Sequence, residues 1–331
     1  MKRIIAGLVI LALMVIGAGC AKQGTQSSTA NSSSTTQAKN QVVKVRVGTL
    51  PIEDALPIFV AQQKGLFKDK DLDIELTVFK SAQERDAALQ AGQIDAAVGD
   101  MVAVGALKQS GTDISVVSVL LGATPAEGRF GILVPPQATD LKTVDQIKGV
   151  PIAISSNTII EYTVDELLKS KGFKDTDIRK VEIKAMPVRV DALVNGQVRA
   201  ASLPDPLLSF AVSKGARVII DDTKGANLSQ VVLIFRNDFI DANKAAVKSM
   251  LSAQNDAVKL INENPDAYRQ LLVDKAKLPA PIAKTYKINT YPTAQLPAKA
   301  DVDRLLKWME TKKIIKPGLT YDDIVNKEVK P

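Results

Sequence analysis

The hydrophobic positions of this chain fall into two series that run in the same order. Residues 85–100 read RDAALQAGQIDAAVGD, an Ala/Leu-rich half, a Gly-Gln pair and a run of small apolar residues that ends at an aspartate. Residues 189–205 read RVDALVNGQVRAASLPD and repeat that order. In each copy the pattern predicts a helix, a glycine in the left-handed conformation that ends it, and a buried strand. Asp100 and Asp205 therefore fall just past strand ends. Upstream, KGLFKD at 64–69 is echoed by KGFKD at 171–175, each after an amphipathic stretch and before an apolar one. Each copy thus reads strand, helix, turn, strand, helix, turn, strand. That alternation implies parallel strands joined by right-handed crossovers, with helices on both faces. The fold class is α/β, with two lobes whose sheets are mostly parallel and flanked by helices.

In chain order, alternation at 43–47 predicts a first strand, and Pro57 suits the first turn of a following helix. The loop 48–54 between them carries Leu50 and Asp54, and it lies at a strand's carboxyl end, where open α/β sheets place ligands. A strand at 74–79 delivers Ser81 to the same edge, and the next delivers Asp100 and Met101. An apolar run at 114–121 leads through Arg129 to a strand at 130–134 that starts at Phe130. The Gly/Pro-containing passage between these strands predicts a first crossing between lobes. A strand at 150–154 and a helix at 159–169 then flank Ser155, Ser156, Asn157 and Thr158. Those residues cap helices, and the free amides behind them offer donors at a helix's positive end; capping alone accounts for them equally well. Pro204-Asp205-Pro206 closes the second series. Strands at 217–220 and 231–235 follow, the latter as the return crossing. Helices are predicted at about 243–264, 266–275, 298–311 and 321–327, and the tail is expected to pack on the first lobe.

Composition changes this picture mainly by exclusion. The chain has 331 residues, 46% apolar and 24% charged, enough for two lobes of ordinary globular composition. It contains no histidine, which removes the usual general base, the Ser-His-Asp triad and the commonest zinc ligand. Its single cysteine, Cys20, precludes an internal disulfide or a thiolate metal cluster. No metal, cofactor or catalytic residue is assigned. The net charge of +7 is spread over Lys-rich turns and helix surfaces, without the aromatic interleaving of nucleic-acid binders.

Residues 1–19 have a basic start, an apolar centre and small residues before Cys20, the pattern of a secretory leader. The apolar run is shorter than the roughly 20 residues that span a bilayer. A small-small-Cys ending resembles a bacterial lipoprotein signal, which implies that Cys20 is lipidated; Gly17 departs from that pattern, and an ordinary cleavage with Cys20 incidental is the alternative. Residues 21–40 hold no large apolar side chain and form a tether, with a reach of about 25 Å.

With this leader and tether, FVAQQKGLF at 59–67, AGQIDAA at 91–97 and LPDPL at 203–207 make the chain resemble the solute-binding proteins of bacterial ABC importers. Within them it looks like the nitrate/sulfonate/taurine and thiamine-pyrimidine group, with the type II periplasmic-binding-protein fold. The resemblance implies an extracytoplasmic, membrane-anchored monomer. It would close on a small molecule and deliver it to permease and ATPase subunits. It divides the chain into 41–122 and 231–331 as one lobe and 123–230 as the other.

Closure requires contacts from both lobes, drawn from loops 48–54, 81–83 and 99–101 on one side and 155–158, 186–188 and 204–205 on the other. Asp54, Asp100, Glu161 and Asp205 would favour a ligand rich in donors. Ser155, Ser156, Asn157, Thr158 and Arg129 point instead to an oxyanion, and the sequence leaves both open. The few aromatics that could stack on a ligand are Phe130, Tyr162, Phe210, Tyr286, Tyr291 and Trp308; Phe130 and Tyr162 lie nearer the predicted loops and are the better candidates, while Trp308 lies on an apolar helical stripe and reads as core. Two alternatives remain: an enzyme of the same fold with Asp100 and Asp205 as its acid/base pair, and a binding protein that serves a sensor.

Overall fold

In a computed structural model that describes residues 42–329, each series builds one five-stranded sheet. The predicted leader, Cys20 and the tether lie outside the described residues. The first series runs β1 (Val43–Thr49), α1 (Leu56–Gln63), β2 (Leu72–Val78), α2 (Ala82–Gln90), β3 (Ala96–Asp100), α3 (Met101–Gln109) and β4 (Ile114–Leu121). After β5 (Phe130–Val134), the second runs β6 (Pro151–Ile154), α4 (Ile159–Lys169), β7 (Arg179–Glu182), α5 (Met186–Val194), β8 (Ala200–Pro204), α6 (Leu207–Ser213) and β9 (Arg217–Asp221). The chain then returns through β10 (Val231–Arg236) and α7 (Asn237–Ala242). The tail adds α8 (Lys244–Glu263), α9 (Arg269–Ala276), α10 (Lys299–Thr311) and α11 (Tyr321–Ile324).

The local signals act as their chemistry dictates. Gly92 and Gly196 take φ of 69° and 72°, the left-handed conformation in which a side chain would be strained, and so end α2 and α5. Every residue of β4 is buried, Ser115 and Ser118 included, as in a strand covered on both faces. Ser81 caps α2, Asp100 caps α3 and Thr158 caps α4. Helix α5 occupies residues 186–188, so the loop that follows β7 is 183–185 and not the predicted 186–188. Helix α11 stops at Ile324, because Val325 leaves the helix to bridge Val116 of β4 in parallel.

Strand orders are β2-β1-β3-β10-β4 and β7-β6-β8-β5-β9, so the two sheets have the same plan. The expectation of parallel strands needs one correction in each. Strand β10 runs antiparallel to β3 and β4, and β5 runs antiparallel to β8 and β9. The reason is geometric: β4 and β9 end at the rims from which the chain crosses. The strand that enters the other sheet therefore starts at a rim and runs away from it.

The first sheet packs one face on α1, α8 and α9 around Leu56, Phe59, Val247 and Leu251. The second sheet packs one face on α5 and α6 around Val190, Leu193 and Leu208. A third cluster includes residues of both sheets, among them Val232 and Ile234 of β10 and Ile132 and Ile152 of the second sheet, together with α3, α4 and α10. The tail packs chiefly on the first sheet's elements, but α10 also reaches α4: Trp308 Nε1 donates to Asp165 Oδ2 at 2.9 Å.

Candidate functional site

At the rim of the first sheet, β1 ends at Thr49 and leads through Leu50 into a tight turn at Glu53–Ala55. Glu53 is only 4% exposed. Its Oε2 accepts from the Tyr286 hydroxyl, and its backbone carbonyl accepts from Tyr291 Oη at 2.9 Å. Burial raises the Glu53 carboxyl well above its usual range, and the charges of Asp54 and Asp205 add to that. Asp54 is likewise pushed up by burial, to about 7, with the Asp100 carboxylate close enough to contribute. Asp100 Oδ1 accepts from the amides of Val102 at 2.9 Å and Ala103 at 3.0 Å. That leaves its Oδ2 outside the cap.

The second sheet brings its own rim to the same place. Asp205 N donates to the Arg129 carbonyl, while its Oδ1 accepts from Ser209 N, each at 2.9 Å. Burial raises Asp205 above its ordinary value. Phe210 of α6, just past this rim, packs against the first sheet's core, and the Asp205 charge reaches Glu53 and Tyr286. Arg129 is ion-paired with Asp221 at 2.9 Å. Behind this face the two crossings are bonded to each other, with Asn227 Nδ2 donating to the Gly122 carbonyl at 2.6 Å. Phe130 N donates to Asp222 Oδ1 at 2.7 Å, and burial pushes Asp222 up to about 6.

The amino end of α4 is already occupied. Ser156 N donates to Glu182 Oε2 at 3.0 Å, and Asn157 N donates to Glu161 Oε2 at 2.7 Å. Asn157 takes φ of 58°, which turns the chain so that both amides meet carboxylates of the protein itself. Lys180 holds Glu161 in place at 2.8 Å. Beneath this loop lies Arg189, wholly buried, whose Nη1 donates to Ser155 Oγ at 2.9 Å and the Ile183 carbonyl at 3.0 Å. Arg85 occupies the equivalent place in the first repeat, but it has a carboxylate partner, Asp86. The equivalent of Asp86 is Val190, and Arg189 keeps Nε and Nη2 unpaired. Burial pushes its guanidinium down to about 10.

Of the residues singled out from sequence, Leu50, Asp54, Asp100, Arg129, Phe130 and Asp205 lie at the facing ends of the two sheets. Ser81 caps α2 on the first rim; Ser156, Asn157 and Thr158 form the α4 loop on the second. Met101 opens α3 as a buried core residue. Tyr162 requires a correction. It is 1% exposed and packs edge-on against Trp308, with ring centroids 5.3 Å apart, so its ring belongs to the α4–α10 contact and not to a strand-end loop. Sequence reasoning passed over Glu53 and Asp221, and it ranked Tyr286 and Tyr291 behind Phe130 and Tyr162 among the aromatic candidates. Glu53 had a signal in its place beside Asp54, but the two tyrosines sit in a Pro-punctuated tail with no periodicity to aim them. No group of metal-ligating side chains is assembled among the described residues, and no helix there is long and apolar enough to cross a membrane.

The model of the NMT1-like family matches residues 38–273. The chain is 25% identical, over 69% of its length and 70% of the relative's, to a putative aliphatic sulfonates-binding protein of Escherichia coli K12. It is 23% identical, over 82% of its length and 78% of the relative's, to a putative ABC transporter periplasmic binding protein of Brachyspira hyodysenteriae. Its fold is similar to that of the periplasmic aliphatic sulphonate binding protein SsuA from Escherichia coli. The TM-score is 0.73 at 21% identity, covering 86% of this chain and 92% of that one.

Proposed function

The chain belongs to the NMT1-like family, and we propose that it is an extracytoplasmic solute-binding lipoprotein of an ABC importer. It captures a small molecule between two lobes and hands it to the permease. The lobes are 41–122 with 231–331, and 123–230. The named classes are those of a sulfonate, nitrate or taurine and of a thiamine-pyrimidine. The observation that carries the reading is that two separate sheets are joined by a pair of mutually bonded crossings, with α6 of the second sheet packed through Phe210 on the first sheet's core. Polar groups from both sheets, Asp54 and Asp100 on one side and Asp205 and Arg129 on the other, can then share one ligand. Differential affinity for the closed arrangement is what would drive closure. The relatives' names support transport and not catalysis. The engagement of Asp100 by two amides of α3 supports a binding role over proton transfer.

A thermal-shift screen of the mature full-length chain against ethanesulfonate, taurine, nitrate, aminopyrimidines and amines tests the reading, because a ligand bound only by the folded state raises the melting temperature. At least one member is expected to do so in a saturable manner; a flat response to all of them would end the proposal. The leader and tether support lipid anchoring at Cys20. The mature chain should then partition into membranes and Cys20→Ser should not, whereas equal partitioning would remove the anchor.

A further inference from the structure

We propose that a cavity beside β9 is a second binding site, for a small organic acid with an apolar body and one anionic head. The cavity measures about 730 Å³, a size ordinary for small-molecule sites. Its walls are chiefly the second half of α4, β9, the second crossing between Lys224 and Leu228, and Arg304 of α10. None of the loops 48–54, 81–83, 99–101, 155–158, 183–185 and 204–205 lines it, so the site stands apart from whatever the rims hold.

The opening follows from the shared plan of the two sheets. Strand β4 is outermost in the first sheet, and the tail closes its free edge: Val325 bridges Val116, and Val119 N donates to the Gln295 carbonyl at 2.7 Å. Strand β9 holds the matching place in the second sheet, and among the described residues no strand or bridge pairs with its outer edge. All of β9 is accordingly half-buried, where all of β4 is buried. Ile219 and Ile220 of this strand line the cavity with Leu167 and Leu228, which gives a ligand's apolar body a surface to cover. Four basic side chains, Lys169, Lys171, Lys224 and Arg304, share that lining with the carboxyls of Glu166 and Asp221. Part of this charge is matched within the protein: Lys169 by Asp175 at 3.0 Å, Arg304 by Asp301 at 3.0 Å and Asp221 by Arg129 at 2.9 Å. Lys171 and Lys224 are exposed and have no ion-pair partner among the described residues. Only Glu166 opposes them, and burial pushes its carboxyl above the ordinary range. The surplus is positive, so it attracts an anionic head and disfavours a cationic one.

The chain carries its own reporter. Trp308 is its only tryptophan, one helical turn from Arg304, and it packs on Tyr162, one turn before Glu166. The test titrates hexanoate and phenyl phosphate into the mature full-length chain, with hexanol and phenol as uncharged counterparts, following Trp308 emission and binding heat. At least one acid is expected to bind saturably and more tightly than its uncharged counterpart. Replacing both exposed lysines, Lys171→Gln with Lys224→Gln, should weaken that binding about 10-fold, with an unchanged melting curve as the check on folding. Absence of binding by both acids overturns the proposal, as does equal binding of the uncharged counterparts. Binding that survives the double substitution undiminished places the acid elsewhere on the molecule and overturns it too, while leaving the reading of the rims untouched.

Discussion

Asp54 shows what burial at the rim costs a single side chain. Its carboxyl is raised from the ordinary 3.8 to about 7, by burial first and by Asp100 second. Between those values the folded chain holds a proton that the unfolded chain has lost. Stability therefore falls as pH rises through that window, and the cost is complete above it. Asp54→Asn removes the charge. Its melting temperature should match the parent's near pH 4 and exceed it at pH 8, and a lower value at pH 8 would contradict the assigned burial. The position itself was legible, because a carboxylate in a loop after a first strand is placed by strand-end logic alone. What sequence could not show was which polar groups were spent. The amides behind Ser156 and Asn157 looked available until Glu182, 26 residues away, was seen to fill one of them. Arg189 headed the second repeat in plain view, yet nothing in its neighbours announced an unpaired guanidinium.

At the scale of elements, the strong patterns gave bounds that the fold keeps, as in β4 at Ile114–Leu121, β5 at Phe130–Val134 and α4 at Ile159–Lys169. Strand direction was less legible, since β5 and β10 pair with strands far along the chain and periodicity carries no information about partners. The reach of α10 was equally hidden. Trp308 was read as core, which it is, but the Asp165 carboxylate it meets sits on α4 of the second repeat. Burial alone would raise Asp165; Lys180, Lys312 and the Trp308 indole together hold it below its ordinary value. Asp165→Ala would leave the indole N–H without its acceptor and two lysines with Glu161 as their remaining carboxylate. The expected loss, measured by denaturant unfolding at neutral pH, is on the order of 3 kcal/mol. A loss within experimental error would mean that the contact is incidental. Because a carboxylate with a depressed value gives its stabilisation only when ionised, the parent's advantage should vanish as pH falls through that lowered value.

Across the whole molecule, the shared order of the two sheets carries a consequence for how the chain can be divided. The first repeat supplies β1 to β4 and then sends its next strand, β5, into the second sheet; the second supplies β6 to β9 and sends β10 into the first. Each exchanged strand lies inside its host sheet, paired on both edges, so neither half owns all the pieces of the sheet it dominates. Cut between β5 and β6, the chain would yield two fragments that each lack an interior strand and carry the one the other needs. Such pieces are complements, as two identical copies of one ancestral half would have been had they traded final strands across a dyad, with the seam between them belonging to neither copy.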